Sequence, residues 1–344
     1  MKALIILSTF SLFFSSCSQE QEVGKLKLNA TAQKIERIHS LPKVDLLFVV
    51  ESGLTSYRQE LNRNMDALIA PLKSNRSVDL HVGVITSTHF MGDNVEMECG
   101  NDGDGRLLGD PSYVSAGGEE ILESLGRNLL AEETVTCFPL ISPHQPFEAV
   151  RAALSSPMVE GHNRGFYREE ASLVVIFLAE RDGTQEELTV EDFRHFLISL
   201  KDRSVEKVAL YGAIVEKNDP LNCLGEGEAT TEEIEKAISS FSGLSFNLCT
   251  PSFREELAKI GRDLNRRFGK VFIPLDHVPA TGTITVEYQG RLLSQDSTEE
   301  GWTYDPNRKG IRLKEDIPLQ DRGRGDGTLT VRFFPSKPES EEEE

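Results

Sequence analysis

Four apolar runs, separated by stretches with helical spacing, limit what this chain can fold into. The runs are Val44–Val50, Asp79–Thr86, Leu173–Leu178 and Lys207–Val215. A strand that is apolar along its whole length needs cover on both faces, as in a parallel sheet with helices above and below. After the first run, Leu61, Met65, Leu68, Ile69 and Leu72 recur at the spacing of one helix face. Helices are also expected over 119–130, 145–154, 191–200, 231–241 and 252–268, with Phe193, Phe196 and Leu197 on one face of the third of these. Strands alternating with helices over 43–268 predict an α/β fold built on a doubly wound, mostly parallel sheet.

The pattern changes near Gly269. Val271–Pro274, Gly282–Tyr288, Gly310–Leu313 and Gly327–Phe334 read as strands, and Gln289-Gly290-Arg291 as a hairpin turn. Residues 269–335 therefore form a small C-terminal β module, with Trp302, the only tryptophan, in its core. His81 lies inside a strand pattern and reads as a packing or edge residue.

The N-terminus has a positive start (Met1-Lys2), an apolar run from Ala3 to Phe14, and small residues before Cys17. These are the three regions of an export leader. The run is shorter than the roughly 20 residues that cross a bilayer as a helix. Phe14-Ser15-Ser16-Cys17 resembles the lipobox of bacterial lipoproteins, with Phe14 where Leu is usual. That resemblance implies a signal peptide over 1–16, lipid (palmitate among its chains) on Cys17, and a tether over 17–42. Ser18, in place of an Asp, implies sorting to the outer membrane. The chain is expected to end in a disordered acidic tail over 336–344, closing on Glu341-Glu342-Glu343-Glu344.

The 344 residues carry a net charge of −19, which argues against nucleic acid as a partner because phosphate backbones need clustered Lys and Arg. With Cys17 lipidated, Cys99, Cys137, Cys223 and Cys249 remain. An even remainder in an exported protein reads as two disulfides. Three pairings are possible; Cys99–Cys137 and Cys223–Cys249 are favoured because each pair flanks a Gly-rich or charged loop. No CxxC is present, so a structural zinc site is not expected.

In open parallel sheets, ligands bind beyond the C-terminal ends of the strands. After the first run comes Glu51-Ser52-Gly53-Leu54-Thr55-Ser56, and after the third Ala179-Glu180-Arg181-Asp182-Gly183. Asp45–Val50 with its polar loop, His81–Thr86, Pro146–Leu154 and Val174–Leu178 with its acidic loop occur in an order that resembles a von Willebrand factor A (VWA) domain. The version found in bacterial lipoproteins is the most similar. The resemblance covers about 43–268 and implies a Rossmann-like sheet. It also implies a metal-ion-dependent adhesion site, in which three loops hold Mg2+ or Ca2+ and a partner carboxylate completes the shell. Its positions fall on Glu51, Gly53 and Thr55 in the first loop, Ser142 in the second, and Glu180 or Asp182 in the third. Glu51 is longer than the usual Asp and Gly53 supplies no oxygen. The expected site is therefore degenerate, and worse for Mg2+ than for the more flexible Ca2+. Asn101-Asp102-Gly103-Asp104-Gly105 has some calcium-loop character but lacks the spaced terminal Glu and reads as a surface turn.

No GxSxG elbow, HExxH, P-loop or GxGxxG is present. His144 and His162 stand in loops as candidate catalytic groups, but isolated loop histidines are usually solvated. The chain is therefore expected to be a non-catalytic envelope protein whose loops 51–56, 90–118, 137–146 and 179–186 meet a protein partner. The alternatives are a periplasmic structural or assembly factor and, third, an unrecognised hydrolase.

Overall fold

The computed structural model describes residues 31–35, 42–73, 78–88, 105–115, 120–131, 144–183, 188–217, 221, 223, 231–269, 271–295, 301–314 and 329–336. The chain begins with β1 (Thr31–Ile35), β2 (Lys43–Val50), α1 (Thr55–Lys73), β3 (Asp79–Thr86), β4 (Tyr113–Ser115) and α2 (Glu120–Leu129). It continues through α3 (Pro146–Ala153), β5 (Ser172–Ala179), α4 (Val190–Ser199), β6 (Val208–Ile214), α5 (Glu232–Ser240), β7 (Ser245–Asn247) and α6 (Phe253–Phe268). Six short strands follow: β8 (Phe272–Pro274), β9 (Thr285–Tyr288), β10 (Arg291–Gln295), β11 (Gly301–Asp305), β12 (Gly310–Leu313) and β13 (Leu329–Phe333).

The architecture is mixed α/β with two mixed sheets. The first has the order β4-β3-β2-β5-β6-β7. Its pairings are parallel except at the edge, where β4 runs antiparallel to β3. That short edge strand lies in the Gly- and Asp-rich segment expected to be loop, and it makes the sheet mixed.

Alternation along β2 explains why the strand has to be apolar throughout. Leu46, Phe48 and Val50 pack into one core with Leu61, Met65, Leu68 and Leu72 of α1 and Leu257, Ile260 and Leu264 of α6. Leu47 and Val49 pack into another, with Phe147 and Val150 of α3, Phe193 and Leu197 of α4, and Ile234 and Ile238 of α5. Phe147 and Phe193 stack with centroids 4.3 Å apart, which ties α3 to α4.

One polar residue interrupts β2. Asp45 is fully buried, and its carboxylate takes the Arg168 main-chain N–H at 2.7 Å and the Arg168 Nε–H at 2.8 Å. Burial still raises the Asp45 carboxyl above its ordinary range, against the pull of Arg168. His81 packs here too, its Nδ1 2.9 Å from the Phe166 carbonyl and its ring 4.8 Å from that of Tyr113.

The second sheet has the order β1-β13-β9-β10-β11-β12-β8 and is antiparallel apart from the β10–β11 pair. Gln289 and Gly290 both have positive φ (51° and 79°), which a tight hairpin between β9 and β10 requires. Trp302 is buried and its indole N–H donates to the Leu293 carbonyl at 3.0 Å, so it serves the core. β11, which carries it, was not among the strands expected from sequence. β1 falls inside the segment expected to be tether, yet pairs with β13 over the full Thr31–Ile35 stretch.

Candidate functional site

Strand register brings the loops together. Val50 pairs with both Thr86 and Leu178, so the residues after β2, β3 and β5 leave the sheet side by side. Two hydrogen bonds extend the ladder past the strand ends, from the Ser87 N–H to the Val50 carbonyl (3.0 Å) and from the Glu51 N–H to the Leu178 carbonyl (2.9 Å). Ile214 pairs with Ala179 and with Asn247, which puts the ends of β6 and β7 on the same edge.

Glu51 is the centre of this edge. It is buried, and its carboxylate is already engaged: Oε2 accepts the Glu180 main-chain N–H at 2.7 Å and Oε1 accepts the Arg181 Nε–H at 2.8 Å. His144 is equally held. Its Nε2–H donates to the Arg181 carbonyl at 2.8 Å, and its Nδ1 accepts the Ser87 hydroxyl at 2.5 Å. The imidazole Nε2 stands 4.0 Å from Glu51 Oε2. Burial lowers the His144 pKa despite the Glu51 charge, which keeps the ring neutral as this donor–acceptor pattern requires. A third link joins the Ser52 and Thr88 hydroxyls at 3.0 Å.

The residues expected at the metal site separate. Glu51 is central but paired with a guanidinium. Thr55 opens α1 and is exposed. Gly53 adopts φ +86°, which explains why no Ser stands there: the turn needs the left-handed region. Asp182 turns away, its carboxylate accepting the main-chain N–H groups of Glu233 (2.8 Å) and Ile234 (3.0 Å) at the start of α5. Burial raises the Asp182 carboxyl, opposed by those amides. Glu180 is half-buried and contributes its main-chain N–H to Glu51. Among the described residues, no group of three or more His, Cys, Asp or Glu side chains is placed to hold a metal ion. Of the expected donors that are described, Glu51 already has a cation and Asp182 already has two amides, a poor fit to Mg2+ or Ca2+. Ser142, Cys17, Cys99, Cys137 and Asn101–Asp104 lie outside the described residues.

Sequence reading missed Arg181, Ser87 and Thr88. Arg181 stands between two acids, where a pattern of oxygen ligands passes over it; Ser87 and Thr88 directly follow the second apolar run, at a strand end. The Ser87–His144–Glu51 row has the residue types of a hydrolytic triad. However, Ser87 is about as buried as the core (1% exposed) and His144 spends Nε2 on a carbonyl, so this row presents no nucleophile. His162 is tied to the Leu107 carbonyl by Nε2 at 2.9 Å, away from this edge.

On the far side of the edge, Cys223 and Cys249 form a disulfide with Cα atoms 5.7 Å apart, the pairing favoured from sequence. It joins the segment after β6 to the turn beyond β7.

No protein-family model and no curated protein matches the chain. Solved structures do match. The pilus adhesin SpaC from Lactobacillus rhamnosus GG, in its open conformation, is 10% identical, with 87% of this chain and 39% of that chain covered and a TM-score of 0.38. Proximal thread matrix protein 1 from the mussel byssus is 10% identical, with 70% and 51% covered and a TM-score of 0.35. The chain thus spans 39% and 51% of the lengths of these two structures.

Proposed function

We propose that this chain is a non-catalytic envelope protein, anchored through lipid on Cys17, that binds a protein partner with the loops at the C-terminal edge of its six-stranded sheet. One observation carries the reading. The loops after β2, β3 and β5 are fastened to one another by buried side chains, while the outer surface of Arg181 stays open (54% of its side chain exposed). Loops fastened in this way present a fixed surface, which lowers the ordering cost of recognition. The VWA-type domain in this proposal rests on the sequence resemblance over about 43–268. Among the described residues no helix is long and apolar enough to cross a membrane.

The test is membrane fractionation with cross-linked co-purification of the full chain. The wild-type chain is expected in the membrane fraction with a protein partner attached, and Cys17→Ala in the soluble fraction. Persistence of Cys17→Ala in membranes removes the anchor. Recovery of no cross-linked protein removes the binding role. Protease treatment of intact cells separates a surface binder, which is cut, from a periplasmic assembly factor, which is spared.

A further inference from the structure

We propose that Arg181 is the recognition group of this edge and that it takes one carboxylate of a protein partner directly, without a metal ion. The inference rests on the binding reading above and names the chemistry of that partner.

The geometry of Arg181 carries the argument. A guanidinium has a side edge, which includes Nε–H, and an end formed by its two Nη groups. The side edge is committed: Nε–H donates to Glu51 Oε1 at 2.8 Å, and Glu51 is itself buried and fixed by the Glu180 amide. The backbone is committed as well, because the Arg181 carbonyl accepts from His144 Nε2, whose other nitrogen is held by Ser87. The end is not. Neither Nη group has a hydrogen-bond partner among the described residues, and 54% of the side chain is exposed. An arginine normally loses much rotamer freedom when it binds; here that ordering is already done by the fold.

The open end is a planar pair of N–H donors, the geometry that meets a carboxylate with two parallel hydrogen bonds. A phosphate is disfavoured. Its second charge would meet the Glu51 carboxylate across one guanidinium, with Glu180 and Asp182 in the same loop and no second Lys or Arg among residues 179–183. The partner's surroundings follow from the whole chain. A body of net charge −19 repels an acidic stretch, so the partner presents a single Asp or Glu within a neutral or basic segment.

A random peptide library displayed against the immobilised full chain in the presence of a chelator tests this. Enriched peptides are expected to share one acidic residue flanked by neutral or basic ones. Changing that acid to its amide should weaken binding by about tenfold or more. The paired variant Glu51→Gln/Arg181→Gln removes both members of the ion pair together and should lose about tenfold or more. Arg181→Lys, which keeps the charge but not the fork, should lose a similar factor. Thermal melts of both variants establish that they are folded. Absence of a shared acid, a requirement for Mg2+ or Ca2+, or either folded variant binding within about twofold of the wild type overturns the assignment. Failure of the binding reading looks different. In that case acidic peptides bind through Arg181 but no partner co-purifies from membranes. Conversely, a membrane partner retained by the paired variant leaves the reading standing and removes Arg181 from it.

Discussion

Lys201 has no exposed surface, yet its ammonium group sits among the loops at the N-terminal end of the parallel strands. Nζ donates to the Arg168 carbonyl at 2.7 Å and lies 4.1 Å from the centre of the Tyr167 ring. Burial brings its pKa down to about 8, with the Asp45 charge resisting. The unfolded chain holds this proton more tightly than the folded one between that value and 10.5, so stability rises with pH across the window, by roughly 3 kcal/mol in all. Below about pH 8 the charge is a standing cost of the fold. Lys201→Met removes the titration. The difference in urea unfolding free energy between wild type and variant should move in favour of the wild type by roughly 2–3 kcal/mol between about pH 7 and about pH 10. An unchanged difference would mean that Lys201 titrates as an exposed lysine does.

At the scale of elements, α5 shows how a distant residue starts a helix. Its N-cap Thr231 makes no capping bond, because the hydroxyl donates to the Val215 carbonyl at 2.7 Å. Asp182, beyond the end of β5, supplies the acceptors instead, to Glu233 and Ile234. Asp182→Ala should therefore cost about 1–2 kcal/mol, the range of a lost helix cap, read as a lower urea midpoint with the slope unchanged. A loss within about 0.3 kcal/mol would show the cap to be dispensable. This bond marks where sequence reading stops. The apolar runs point to β2, β3, β5 and β6 to within a residue or so, and the helix faces to α1 through α6, because burial on a fixed period is written locally. β4 and β7 are three residues each, too short for a period to show. β1 (Thr-Ala-Gln-Lys-Ile) has no apolar run, and its strand state depends on β13, almost three hundred residues away. Glu51 was legible as a strand-end acid. Its guanidinium partner was not, because pairing across loops depends on register, and register places Glu51 beside Arg181 only once β2 and β5 are aligned.

At the scale of the whole molecule, the three apolar cores predict how the chain comes apart. The two cores of the first sheet share its strands: neighbouring residues of β2 belong to opposite cores, so neither can be lost alone. The β-module core, built from Val271, Val286, Trp302, Ile311, Val331 and their neighbours, shares no residue with them. All six described helices lie between Thr55 and Phe268, whereas the only tryptophan lies in the module. Far-ultraviolet circular dichroism thus follows the helical body, and Trp302 fluorescence follows the module. Among the described residues the module core is the smaller, and one of its outer strands, β1, pairs only with β13. In urea, Trp302 should report a transition at lower concentration than the helices, two steps where one cooperative unit would give a single midpoint. The charge of −19 adds a self-repulsion that salt screens, so both midpoints should rise between about 0.02 M and about 0.3 M sodium chloride. Coincident transitions at every salt concentration would mean that the two cores unfold as one unit.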